Sequence, residues 1–446
     1  MGSAILLEVE MGKQSEGSDA IGPVDRIRVL AAGKSHEVAR HPAAAGCEII
    51  ERAGHVILPG LANAHTHLDL THIGPLEHDA GAGFVPWIDI VRERRARTAE
   101  DIARSVRAGI ELSRRGGVVA VGDIAGAPDG KPTLVPFEVM RAEGMAGASY
   151  VEFFAIGKRE SASRERAREV IENADVPHAG DRTCLGLQPH APYSVDLRSY
   201  EWAAEFARAR ALPFATHLAE TIEEREFVAR GTGPQRKFLE SIGVWDDDIL
   251  ARVGQGKTPV GHLRSVLESA RESRQPILLV HLNHVTDADI EVLARSGASA
   301  VYCPRASEYF GADRAFGPHR YRDMLSAGIN VALGTDSIVN LPRGEIVAHG
   351  ITTLDDMRLL LARDGTPAGT LLDMATTNAA RAMGLPGTWF QLLPGCDPLA
   401  VAALPIGART ADSWCLDTAI RGGGAPEMLF YRKKCDLAEN RAAPGE

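Results

Sequence analysis

The sequence lacks any run of about 20 apolar residues, the length a membrane-spanning helix needs. Its first ten residues are apolar but short and acidic, without the basic start and small-residue cleavage site of a signal peptide. Basic charge is in short supply. The 49 Lys and Arg stand against 59 Asp and Glu, a net charge of −10. A surface of that sign repels phosphate backbones, which excludes nucleic acid as an expected partner. Cysteine is sparse and scattered, at Cys47, Cys184, Cys303, Cys396, Cys415 and Cys435, and no C-x-x-C pair occurs. Neither a zinc knuckle nor a disulfide framework is indicated, and the expectation is reduced thiols in a cytoplasmic protein. No Gly-rich phosphate turn follows the first apolar run, which weighs against an open doubly wound sheet. No internal repeat or low-complexity segment is present.

What is there is a long chain of ordinary globular composition: 446 residues, 45% hydrophobic and 24% charged. That length suits a large barrel with an accessory module. Residues 1–57 mix short β-like pieces (4–9, 27–31 and 48–50) with Gly and Pro turns, and read as the first part of a small β-sandwich. Apolar runs then alternate with amphipathic stretches. Candidate strands fall at 56–61, 118–124, 149–156, 185–189, 213–216, 277–280, 298–303 and 330–333. Helix-like segments between them include 99–115, 197–211 and 287–296. Strand and helix repeated eight times predict an α/β fold, a (β/α)8 barrel over 58–385. Residues 386–446 turn β-like again and are expected to supply the second part of a composite sandwich and a polar tail.

The chemistry sits where apolar runs stop. His65-Thr66-His67 follows the first run, and residues two apart in an extended segment point the same way, so both imidazoles can reach one ion. By itself the pair is weak, since roughly half an H-x-H is expected by chance in such a chain. His217, His281, Asp336 and His190 each follow a further apolar run. In a parallel barrel all those ends gather at one mouth. Three imidazoles and a carboxylate suit one divalent ion, Zn²⁺ first and Fe²⁺ or Mn²⁺ as alternatives. Glu220, three residues after His217, is placed to move a proton from a water to a leaving group. The bland reading of each residue singly is a satisfied histidine or a solvated carboxylate; the joint arrangement carries the argument.

The segments 58–68 (LPGLANAHTHL), 217–220 (HLAE), 333–337 (LGTDS) and 375–385 (ATTNAARAMGL) resemble signatures of the amidohydrolase superfamily. The resemblance implies a (β/α)8 barrel with a composite β-sandwich and a mononuclear site of His65, His67, His217 and Asp336. It also implies Glu220 as proton shuttle, and His281 orienting water or substrate. The fourth strand end reads Gln188-Pro189-His190, without the lysine of the binuclear branch. His190-Ala191-Pro192-Tyr193 is similar to a segment of methylthioadenosine/S-adenosylhomocysteine deaminases, where the His contacts substrate. Gly83-Phe84-Val85-Pro86-Trp87-Ile88 and Tyr302-Cys303-Pro304-Arg305 resemble aminofutalosine deaminases of menaquinone synthesis. Trp87, His190 and Arg305 are accordingly expected in the substrate pocket. After Arg305 the chain departs from the family, with Ala306-Ser307-Glu308.

The expected activity is hydrolytic deamination of an aminated purine nucleoside, aminofutalosine foremost, with methylthioadenosine, S-adenosylhomocysteine and adenosine behind it. Guanine deamination and s-triazine hydrolysis are the alternatives, and a non-catalytic metal-binding barrel the reading from another class. The expected partner is a small molecule, with neither nucleic acid nor membrane; homo-oligomerisation is left open.

Overall fold

The computed structural model describes residues 3–10, 22–175, 181–271, 275–406 and 416–432. In the N-terminal segment, strands β1 (Ser3–Glu10), β2 (Gly22–Val24), β3 (Arg26–Lys34) and β4 (His55–Pro59) precede the barrel. The barrel strands are β5 (Leu61–Thr66), β6 (Val118–Ala125), β7 (Ala146–Phe153), β8 (Thr183–Pro189), β9 (Phe214–Leu218), β10 (Ile277–His281), β11 (Ser299–Tyr302) and β12 (Val331–Leu333). The chain ends with β13 (Ala400–Pro405) and β14 (Glu427–Arg432).

β5 to β12 form one sheet in sequence order, with parallel pairing throughout. A parallel bridge between Thr66 and Asp336 brings the last strand back to the first. Side-chain alternation makes the two layers. Ala62, Ala120, Ala148, Ala215, Leu278 and Ala332 face one core cluster, where small residues suit a crowded barrel interior. Val121, Val151, Leu187, Phe214, Leu279 and Leu333 face another, shared with the surrounding helices. The helices Ala99–Arg115, Leu197–Ala209 and Asp287–Ser296 lie at or within two residues of the bounds expected from periodicity.

A four-stranded sheet, in the order β2-β14-β13-β4, joins the two ends of the chain. The β1–β3 pair packs on it through a small core that includes Val24, Ile27, Val401 and Leu429.

Three expectations are corrected. The run 56–61 is two strands: β4 belongs to the composite sheet and β5 to the barrel. Gly60 sits between them, and a Cβ there would lie 2.7 Å from Val119 Cγ2 and 3.1 Å from Ala400 Cβ. No L side chain fits that crossing, so a glycine makes the switch of sheets. Residues 48–50 form no strand. The third barrel strand runs three residues earlier than expected, at Ala146–Phe153. Among the described residues no helix is long and apolar enough to cross a membrane, and Cys47, Cys184, Cys303 and Cys396 are free thiols.

Candidate active site at the strand ends

His65 lies inside β5 rather than after it, and His67 follows directly as the N-cap of a 3₁₀ turn, Leu68–Ile73. The β5–β6 register breaks between Asn63 and Thr66, an interval that contains His65; bulges of this kind re-aim side chains. Asn63 holds the two ends of the ring together. Its Oδ1 accepts from the backbone N–H of His65 (3.3 Å) and Thr335 (3.0 Å), and its Nδ2 donates to Thr335 Oγ1 (2.7 Å). His217 is the inward residue of β9, next to the outward Thr216, whose hydroxyl meets Tyr200 at 2.7 Å.

These elements bring six of the expected residues together. The donor atoms of His65, His67 and His217 all lie within 4.8 Å of one another, as do those of Glu220, His281 and Asp336. Asp336 Oδ1 joins the two sets, 3.5 Å from His65 Nε2 and 3.4 Å from His67 Nε2. Two ligands each about 2.1 Å from a tetrahedral ion stand about 3.4 Å apart, so the spacing fits a small divalent metal. The charge state fits as well. Burial pushes the His65 imidazole down to about 3. Burial, and then neighbouring histidines, hold His67 and His217 well below the ordinary value. Neutral imidazoles offer lone pairs, and both ring nitrogens of His65 and Nδ1 of His67 are buried without a hydrogen-bond partner. His217 Nδ1 lies 3.1 Å from the carbonyl of His190; a proton donated there leaves Nε2 free for an ion.

Glu220 and His281 face this set, with His281 Nε2 3.4 Å from Glu220 Oε1. Burial, and then Asp336, push the Glu220 carboxyl well above the usual range. A bound cation would draw that value back down. The backbone here is unusual. Ala219 (φ 55°), His281 (φ 76°), Leu282 (φ 52°) and Asp336 (φ 57°) all occupy left-handed conformations without being glycine. Such residues cost about 1–3 kcal/mol each and mark places where surrounding structure over-determines the chain.

A cavity of about 750 Å³ opens above these groups. Trp87 and His190 both line it, with Tyr193 and Phe154 beside them. Arg305 does not line it, and the expectation of a substrate contact is corrected. Its guanidinium is buried and saturated: Nε and Nη2 donate to Asp356 (3.1 and 2.7 Å), Nη2 to the Thr352 carbonyl (2.7 Å) and Nη1 to Glu345 (2.9 Å).

Several groups around the site were not anticipated from the sequence. Glu224 accepts from the backbone N–H of Ala219 (2.9 Å) and Glu220 (2.8 Å) and so holds the left-handed turn behind the shuttle candidate. Asn283 Nδ2 donates to the Glu220 carbonyl (3.0 Å). His319 stacks on Tyr302 and meets the His281 carbonyl at 2.8 Å. Arg95 and Glu152 line the cavity wall. Only Glu224 left a legible signal, one helical turn after Glu220.

The pattern of the amidohydrolase family matches residues 56–403, most of the chain. The chain belongs to this family. It is a hydrolase acting on C–N bonds. It is 32% identical over 336 residues to the aminodeoxyfutalosine deaminase of Deinococcus radiodurans, covering 70% of each protein. Over 360 residues it is 28% identical to a 5-methylthioadenosine/S-adenosylhomocysteine deaminase of Syntrophomonas wolfei, covering 78% of this chain and 72% of that one. Its fold is shared with the zinc-bound adenosine deaminase of Xanthomonas campestris. That likeness has a TM-score of 0.65 at 19% identity and covers 94% of this chain and 91% of the other.

Proposed function

We propose that the protein removes an amino group hydrolytically from a purine nucleoside carrying an anionic extension, with aminofutalosine the favoured substrate. One observation carries the choice. The cavity that reaches the His/Asp/Glu cluster is also lined by the exposed Arg159 and Arg166, and among the described residues neither makes an ion pair with a carboxylate. Cations left unpaired beside a pocket suit an anionic ligand. Aminofutalosine and S-adenosylhomocysteine carry a carboxylate beyond the ribose; adenosine and methylthioadenosine carry none. Guanine or an s-triazine would leave most of the 750 Å³ unfilled. The similarity to an aminodeoxyfutalosine deaminase supports the same choice, and would place the reaction in menaquinone synthesis.

His65, His67, His217 and Asp336 would hold one divalent ion, Zn²⁺ first and Fe²⁺ second. When bound, such an ion supplies Lewis acidity that brings the pKa of a water toward about 7. Glu220 accepts the proton of the attacking water and returns it to the departing amine. Burial, and then Asp336, raise its carboxyl above the ordinary range, and a bound cation opposes that shift. His281 Nε2 lies 3.4 Å from Glu220 Oε1, a position from which it would orient the water or the substrate. Trp87 offers an aromatic face for the purine.

Ammonia release measured over aminofutalosine, S-adenosylhomocysteine, methylthioadenosine, adenosine and guanine tests the reading. The carboxylate-bearing nucleosides should show the highest kcat/KM, and Arg159→Ala with Arg166→Ala should raise KM for them alone. Equal kcat/KM for adenosine and the carboxylate-bearing pair would overturn it.

A further inference from the structure

The mechanism above leaves one buried acid of the cavity unused. Glu152 is the penultimate residue of β7, only 2% exposed, and lines the cavity. An ionised carboxylate can accept about four hydrogen bonds. Glu152 has three neighbours, all long: the Ala127 N–H at 3.4 Å, Arg95 Nη1 at 3.7 Å and His190 Nε2 at 3.9 Å. Arg95 sits nearer Asp69, its Nε donating to Asp69 Oδ2 at 2.9 Å, and it approaches Glu152 without a short hydrogen bond. A structural counter-ion would take that short contact itself. Instead, a buried acceptor is left with spare capacity at a cavity wall, which is costly unless a ligand uses it.

The neighbourhood restricts the ligand. An anion is repelled by the carboxylate. A cation would have only Glu152, His190 and His217 as donors, and His217 Nδ1 already faces the His190 carbonyl. Neutral donors remain. Two oxygens on one carbon match two hydroxyls on adjacent carbons. The ring of Phe154, 4.8 Å from that of His190, and the ring of Tyr193, 5.4 Å from it, wall the same region with apolar surface.

We propose that Glu152, flanked by His190 and Arg95, is a sugar-recognition residue that accepts hydrogen bonds from the vicinal hydroxyls of a ribose. It thereby selects nucleosides over free bases and deoxynucleosides. The inference rests on the nucleoside reading above, and its test separates the two.

Inosine and 2′,3′-dideoxyinosine carry no amine to lose, so their binding to the metal-loaded enzyme can be measured by calorimetry without turnover. The wild-type protein should bind inosine about tenfold or more tightly than the dideoxy compound, since a charged acceptor left unpaired loses strong hydrogen bonds. Glu152→Ala should bring the two within about threefold, and Glu152→Gln, which keeps one acceptor oxygen, should fall between. Metal content and Tm, measured alongside, should be unchanged in Glu152→Gln. Equal wild-type affinities would overturn the proposal without any variant, as would full discrimination in Glu152→Ala. Ammonia release from adenosine is scored separately. Ribose discrimination without deamination of any nucleoside leaves the sugar residue standing and removes the nucleoside-deaminase reading. Deamination with discrimination independent of Glu152 does the reverse.

Discussion

Glu220 and His217 are three residues apart and belong to different tasks, so their substitutions should part company. Glu220→Gln keeps the shape and the hydrogen bond from Asn283 to the backbone but cannot take a proton at neutral pH. Turnover should fall about 10²–10⁴-fold with metal content intact. His217→Ala should lose metal and activity together; metal stoichiometry beside kcat for both variants checks this. A Glu220→Gln enzyme with near-normal kcat would remove Glu220 from its role. Trp87 stacks on Phe84 at 5.3 Å while lining the cavity, and Trp87→Ala should raise KM more than it lowers kcat. These residues were legible because each ends an apolar run or sits in a family segment. Arg305 was misread because its acids, Glu345 and Asp356, lie 40 and 51 residues further along the chain. Glu152 was invisible for a related reason: within Tyr150-Val151-Glu152-Phe153 it reads as one polar residue in an apolar strand, and only the fold puts His190 beside it.

Among elements, the barrel strands followed from composition because each is a short apolar run, whereas the β4/β5 switch did not. Both strands are apolar and continuous, and the change of sheet is decided by tertiary crowding at Gly60. The turns that carry the site are more exacting. At Gly334, after β12, an added Cβ would lie 2.8 Å from His65 Cβ and 2.9 Å from Cys303 Sγ. Gly334→Ala should cost about 1–3 kcal/mol of stability by overpacking. Because the clash is with His65 itself, metal affinity should fall too; chelator titration beside a denaturation curve reads both. Glu224→Ala orphans two buried N–H groups at the Ala219–Glu220 turn, a loss of about 1–3 kcal/mol each. Activity should drop further than stability does, as the turn aims Glu220; unchanged kcat in a folded Glu224→Ala protein would show that the turn holds itself.

At the scale of the molecule, buried histidines set the acid limit. His65 and His190 are pushed down to about 3, and His262 and His319 to about 4, in each case first by burial. Their folded values lie below the unfolded value of 6.5, so the unfolded chain binds protons more readily and stability falls as pH drops from about 6.5. Metal-free protein should therefore show a Tm that declines steadily over pH 6.5 to 4; a flat profile would contradict the buried, neutral state of these rings. The Thr66–Asp336 bridge has a consequence for biosynthesis. The hydroxyl of Thr66, between the two paired histidines, donates to the Asp336 carbonyl across 270 positions of sequence. On a ribosome the histidine pair emerges early and Asp336 late, so, of the four proposed ligands, a chain halted short of residue 336 would offer an ion only the imidazoles. If those four groups hold the metal, its firm capture would wait on ring closure, and a truncated or unclosed product would be distinguishable from a finished one by how readily it surrendered its ion.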